Sequence, residues 1–195
     1  MMREAKFKRK TKETQIEIAI NLDGEGNSNV STSIPFLDHM LTLFSRHGFF
    51  DLEIFAKGDI EVDFHHTVED IGICLGETLK KALGDKAGIK RYGWAIVPMD
   101  ESLSLVSIDI SGRPHLIYRA DLPREKVGGF DTELVPVFFH ALTVHSGITM
   151  HINLFYGENM HHAIESIFKA FAKALSMAVS KEKREKGIPS TKGVL

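Results

Sequence analysis

The residues best suited to chemistry in this chain come in matched pairs. His65-His66-Thr67-Val68-Glu69 recurs as His161-His162-Ala163-Ile164-Glu165, the same His-His-x-x-Glu spacing displaced by 96 residues. On a helix, each glutamate shares a face with either histidine, whereas adjacent histidines point about 100° apart and cannot comfortably grip one ion. The pattern therefore suits two ions, each taking one histidine from each copy and a glutamate from one of them, if the copies face each other across a pseudo-twofold axis. Imidazole with carboxylate and no thiolate favours manganese, iron or zinc over an ion that takes only oxygen. A single such motif is weak evidence, but two at matching places in a repeat are not easily produced by chance. His39, within Pro35-Phe36-Leu37-Asp38-His39-Met40, is a further candidate ligand, while His47, His115, His140, His145 and His151 taken singly read as structural.

Three other features point to an anionic substrate. Arg91 lies in Gly88-Ile89-Lys90-Arg91-Tyr92-Gly93 and Arg113 in Ser111-Gly112-Arg113-Pro114, while the chain closes with Gly187-Ile188-Pro189-Ser190-Thr191-Lys192-Gly193. The fork of an arginine, the point charge of a lysine, a serine hydroxyl and free backbone N–H groups together make a phosphate cradle.

These residues need a scaffold, and the repeat describes it. Ile71, Leu75 and Leu79 are answered by Ile167, Phe171 and Leu175, one apolar stripe behind each motif. Ile16, Ile18, Ile20 and Leu22 alternate into Asp23-Gly24, as Leu103, Leu105 and, after a slip, Ile108 and Ile110 do into Ser111-Gly112. Glu13 lies 88 residues before Glu101, and His47 lies 98 before His145. Each half reads as two strands, a helix, a strand and a second helix. The first helices are expected over about 36–46 and 135–144, the following strands over about 52–56 and 151–156. One domain of two repeats, about 1–90 and 91–180, thus shares a core of α+β type, with a functional tail over about 181–195. Lys181 to Lys186 reads as a solvated helix end.

Composition narrows the function. With 24 basic and 26 acidic side chains the net charge is −2, which argues against a dedicated nucleic-acid binder. No apolar stretch is long enough to span a membrane, and the charged N-terminus lacks the apolar core of a secretory signal, so a cytoplasmic protein is expected. Cys74, the only cysteine, reads as a small buried hydrophobe rather than a nucleophile.

Taken together, Arg9 to Thr14, PFLDHM at 35–40, DFHHTVEDIGICLG at 63–76, VPMDES at 97–102, SGRP at 111–114, FDTELV at 130–135, the HHAIES repeat and the closing PSTKGVL resemble the imidazoleglycerol-phosphate dehydratase family, in a monofunctional form with no fused phosphatase. The resemblance implies helices sandwiched between two four-stranded mixed sheets, one sheet per half. It implies a homo-oligomer of octahedral symmetry with two manganese ions in active sites at subunit boundaries. By position, one ion would take His39, His66, Glu69 and His161, and the other His65, His162, Glu165 and one more histidine. The family often has that histidine just before a Phe-Phe pair, where this chain has Val137; either His140, one helical turn on, or a water or substrate atom would fill the gap. Leu43 also departs, standing where many members carry glutamine. Substrate contacts carried over are Glu13, Arg91, Arg113, Ser190 and Lys192, the last four on the phosphate.

The implied reaction is dehydration of D-erythro-imidazoleglycerol phosphate to imidazole acetol phosphate in histidine biosynthesis. Its difficulty is a proton on a carbon with no adjacent carbonyl. Coordination of both ring nitrogens would give an imidazolate able to expel the neighbouring hydroxyl, with Glu13 as the expected proton shuttle. Spacing alone would equally suit a dinuclear phosphoesterase, and a non-catalytic metal-binding shell is the bland alternative.

Overall fold

The computed structural model describes residues 3–195. The first half runs β1 (Glu4–Lys10), β2 (Thr14–Asn21), β3 (Ser28–Ser31), α1 (Pro35–Gly48), β4 (Asp51–Gly58) and α2 (His65–Leu83). The second runs β5 (Tyr92–Met99), β6 (Ser102–Asp109), β7 (His115–Arg119), a small hairpin of β8 (Lys126–Val127) and β9 (Phe130–Asp131), then α3 (Leu134–Ser146), β10 (Thr149–Tyr156) and α4 (Met160–Val179). Each half thus has a third strand before its first helix, one more than the alternation pattern suggested. Ser28–Ser31 is too short and too polar to show a period of two, and its strand identity comes from pairing with β4.

The two large sheets have the same plan. Their orders are β1-β2-β4-β3 and β5-β6-β10-β7, antiparallel except where β3 pairs with β4 and β7 with β10. Ile16, Ile18 and Ile20 turn one face of β2 fully inward, as period-two alternation requires. The four helices lie between the sheets, α2 against β1 and β2, α4 against β5 and β6. Across the middle the halves exchange partners: α1 packs on α4 and α3 on α2. Phe44 stacks on Phe171 at 4.9 Å, and Phe139 meets Phe171 edge-on at 5.4 Å. Gly72 lies against the backbone of Phe138, and Gly76 against that of Leu142 and Ser146; a methyl group at either would come within 2.7 Å of a carbonyl. Glycine there lets α2 and α3 approach closely, running in the same direction.

The repeat extends to burial. Every buried position of α1 has a buried counterpart in α3 98 residues later, and every buried position of α2 has one in α4 96 residues later. Cys74 is among them, its thiol pushed up to about 12 by burial, with no nucleophilic character.

The charge run at 181–186 is not a helix end. Helix α4 stops at Val179, where Ser180 turns extended and another segment binds the chain: Arg91 N donates to Ala178 O in the last turn and Lys90 N to Ser180 O just beyond it, both at 2.9 Å. Beyond it the chain folds back along 88–90, with Glu182 N donating to Gly88 O and Gly88 N to Gly187 O. No helix among the described residues is long and apolar enough to cross a membrane.

Candidate active site and metal centre

Both His-His-x-x-Glu motifs open a helix, and both openings are built alike. Asp63 Oδ1 accepts from the backbone N–H of His65 at 2.7 Å. Its counterpart Asn159, again 96 residues on, caps α4 by accepting from the N–H groups of His161 and His162. These caps satisfy N–H groups that the first helical turn leaves unpaired, and they fix where the imidazoles emerge.

At the head of α4, three expected ligands converge. Glu165 Oε2 lies 3.3 Å from His39 Nε2 of α1 and 3.2 Å from His161 Nε2. One ligand atom from each of the three lies within 4.8 Å of the others. The carboxylate is only 6% exposed, and its other oxygen is held by Lys169 at 2.6 Å. Burial alone would raise its pKa, but Lys169 together with His39 and His161 outweighs this and holds the group below the ordinary glutamate value. It stays an anion. Two imidazoles facing one buried carboxylate form a donor set that fits manganese, iron or zinc. Glu165 thereby joins His39 and His161, ligands that the family resemblance assigns to the other ion.

The remaining motif residues gather no such cluster among the described residues. His65 and Glu69 are exposed at the head of α2, and His140 is exposed on α3, while Val137 is half-buried. The second histidine of each motif is oriented through Nδ1: His66 lies 3.0 Å from Asp59 Oδ2 and His162 lies 2.7 Å from Glu101 Oε2. A carboxylate on Nδ1 fixes the tautomer and directs Nε2 outward, the usual support of a metal-binding imidazole. The hydrogen bonds raise the pKa of both histidines, and His162 in turn lowers Glu101 to about 2.

These shifts set a pH dependence. In the metal-free protein, the stability contributed by the two pairs is complete below the unfolded imidazole value and is lost as pH rises through the raised folded value. A cation needs the neutral ring and gains as that proton leaves. The increase in Tm given by saturating manganese should therefore grow as pH rises from below the ordinary imidazole value to above it. An increment that does not change with pH in thermal melts would remove both rings from the ligand set.

Sequence reasoning missed Asp59 and Lys169, which carry no motif. Glu101 carried a signal, as the repeat counterpart of Glu13. Glu13 itself is exposed in the turn between β1 and β2, and its charge is among those raising the pKa of His66. Glu101 occupies the matching turn between β5 and β6, where Asp100 adopts φ 46.

The anion-binding candidates form a second group. Arg91, held in the left-handed region at φ 71, forks onto Asp109 at 2.7 and 3.1 Å and donates to the carbonyl of Pro189 at 2.9 Å. Arg113 is exposed, with its guanidinium 3.9 Å from the same Asp109. The tail returns to this place: Gly112 faces the backbone of Leu195, and Lys192 N donates to Ser190 Oγ at 3.2 Å. Arg91, Arg113 and the Ser190–Lys192 segment thus share one corner. That corner adjoins the far end of α4 from His161, since Arg91 N–H caps Ala178 O.

Comparison with known proteins agrees with this architecture. A family model described as imidazoleglycerol-phosphate dehydratase matches residues 32–175. The imidazoleglycerol-phosphate dehydratase of Geobacter sulfurreducens is 56% identical over 195 residues, with 100% of each chain covered. That of Halalkalibacterium halodurans is 58% identical over 194 residues, again with 100% of each covered. Among solved structures, the Staphylococcus aureus enzyme superposes with a TM-score of 0.83 at 45% identity, covering 92% of this chain and 99% of its own. The Pyrococcus furiosus enzyme, in complex with (S)-C348, gives 0.83 at 38% identity, covering 97% and 100%. Dehydratase is the activity named in these relatives, and they lend no support to the phosphoesterase or to the non-catalytic metal-binding shell. Matched over its full length at this identity, the chain belongs to the imidazoleglycerol-phosphate dehydratase family.

Proposed function

We propose that the chain is a metal-dependent hydro-lyase that dehydrates imidazoleglycerol phosphate to imidazole acetol phosphate in histidine biosynthesis, at active sites shared between subunits. One observation carries the shared site. The His39–His161–Glu165 cluster lies at the head of α4 and the arginine-and-tail corner at its foot. From His161 to Ala178 the helix rises about 25 Å, more than twice the length of a small phosphorylated imidazole. One protomer cannot offer both ends to the same molecule, so the clamp that meets a given metal cluster belongs to a neighbour.

Within that site His39, His161 and Glu165 would hold one divalent ion, manganese by family resemblance. His65, His66, Glu69 and His162 would supply the remaining ligands from facing protomers. What divalent ions supply when bound is Lewis acidity at the ring nitrogens of the substrate, which lets the imidazole shed its N–H proton and assist departure of the neighbouring hydroxyl. Asp59 and Glu101 keep His66 and His162 aimed. Glu13 takes the carbon-bound proton, placed by its turn beside His66 yet free of any ligand duty. Arg113, Lys192 and Ser190 close on the phosphate. Arg91 anchors the tail through Pro189 and keeps N–H groups on its terminal nitrogens for the same anion. Binding energy gathered there, remote from the reacting carbons, fixes the ring in place.

Subunit mixing tests this. His161→Ala and Arg91→Ala proteins should each be inactive, and dissociating and reassembling them together should restore up to about a quarter of wild-type turnover, because random assembly builds some sites from two intact halves. The assay follows ketone formation with phosphate retained. No recovery in verified mixed assemblies would confine the site to one protomer, and release of inorganic phosphate would restore the phosphoesterase.

A further inference from the structure

The two motif helices differ in burial at one position. Helices α2 and α4 share every buried position at a displacement of 96, except that Glu165 is buried and its counterpart Glu69 is exposed. Nothing in the motifs explains this, because both read His-His-x-x-Glu. The difference lies in what faces each glutamate. Helices α1 and α3 align at a displacement of 98, fixed by their shared buried positions and by left-handed residues at both C-termini, Phe49 and Gly147. In that register the counterpart of His39 is Val137. Gly72 against Phe138 and Gly76 against Leu142 set the same-direction packing of α2 on α3, which brings the turn of Glu69 beside the turn of Val137. Glu165 therefore meets an imidazole from the neighbouring helix, whereas the residue in the matching register beside the turn of Glu69 is a valine. Its second support, Lys169, corresponds to Ile73, equally unable to hold a carboxylate.

We infer that the two ion positions of this chain are chemically unequal, one strong site headed by His39, His161 and Glu165 and one weak site on α2 that lacks an imidazole because residue 137 is valine. Resting on the shared dinuclear site proposed above, the inference adds an order of filling. The strong site has its donors gathered, with Glu165 held in place by Lys169. At the weak site, an exposed Glu69 must be ordered on binding, and a coordination position is left open for a ligand the protein does not supply. His140 does not stand where His39 stands, for in the same register of 98 residues its counterpart is Thr42. Desalted protein should keep about one ion per chain, with the second taken up only at higher free metal.

Manganese titration of the full-length, chelator-stripped protein, followed by calorimetry and by metal analysis after desalting, tests this without any turnover assay. The wild type should show two classes of site differing at least about tenfold in affinity, in keeping with the usual effect of a lost ligand or its support. Val137→His should tighten the weaker class and bring the two close together. His39→Val should turn the strong class into a second weak one, a check that does not depend on Val137→His folding well. Two equal classes in the wild type, or an unchanged weaker class in correctly folded Val137→His, would overturn the inference while leaving the dinuclear site intact. Absence of any class sensitive to His39 would instead overturn the dinuclear site itself.

Discussion

Replacing Glu13 by glutamine should lower kcat by about 10²- to 10⁴-fold, the usual contribution of a positioned proton-transfer group. Metal content should not change. The expectation rests on a division of labour between repeat partners. Glu13 and Glu101 occupy corresponding turns at the heads of α2 and α4, but Glu101 is committed to His162 at 2.7 Å, whereas the equivalent support of His66 comes from Asp59. That leaves Glu13 exposed and free to move a proton next to a metal-binding imidazole. The glutamine variant keeps the shape and removes the base, so a loss confined to kcat, with ion stoichiometry intact, identifies proton transfer. Unchanged kcat would take Glu13 out of the reaction.

Removing the chain from Ser190 onward should act on KM. The deletion strips a serine hydroxyl, Lys192 and several backbone N–H groups from the corner where Arg91 and Arg113 gather. Hydrogen bonds to a charged group contribute about 1.5–3 kcal/mol each, so losing two raises KM by about 10²- to 10⁴-fold. Because binding energy from the clamp also fixes the ring in place, kcat should fall as well, with the loss in kcat/KM exceeding that in either parameter alone. Pro189 is retained, so Arg91 keeps its anchor and the fold of the corner survives. A KM within a few-fold of the full chain would move the phosphate elsewhere.

How legible all this was from the residue order depended on whether a feature is local or repeated. The motif helices, their stripes and the duplication were readable because each is written twice with the same spacing. Third strands such as Ser28–Ser31 were not, since they exist only by pairing with a neighbour distant in sequence. The end of α4 was hidden for a related reason: nothing in the Lys181–Lys186 run stops a helix, and at its end the chain pairs instead with Lys90 and Arg91, which bond Ser180 O and Ala178 O. At the site, ligands could be named from type and spacing, but their supports could not. Asp59, Lys169 and Asp109 are ordinary acids and bases until folding sets them against His66, Glu165 and Arg91. The unequal burial of Glu69 and Glu165 was invisible for the same reason, because the cause lies on a different helix.

The exchange of helix partners at the centre has a further consequence. Since α1 rests on α4 and α2 on α3, neither repeat owns a finished interior. A single-repeat ancestor, lacking its sibling, would have left two greasy flanks open to water and could have covered them only by embracing a twin. Joined in one covalent chain, the two repeats close those flanks on each other and need not carry the same residue at matching places, as imidazole at 39 and valine at 137 show.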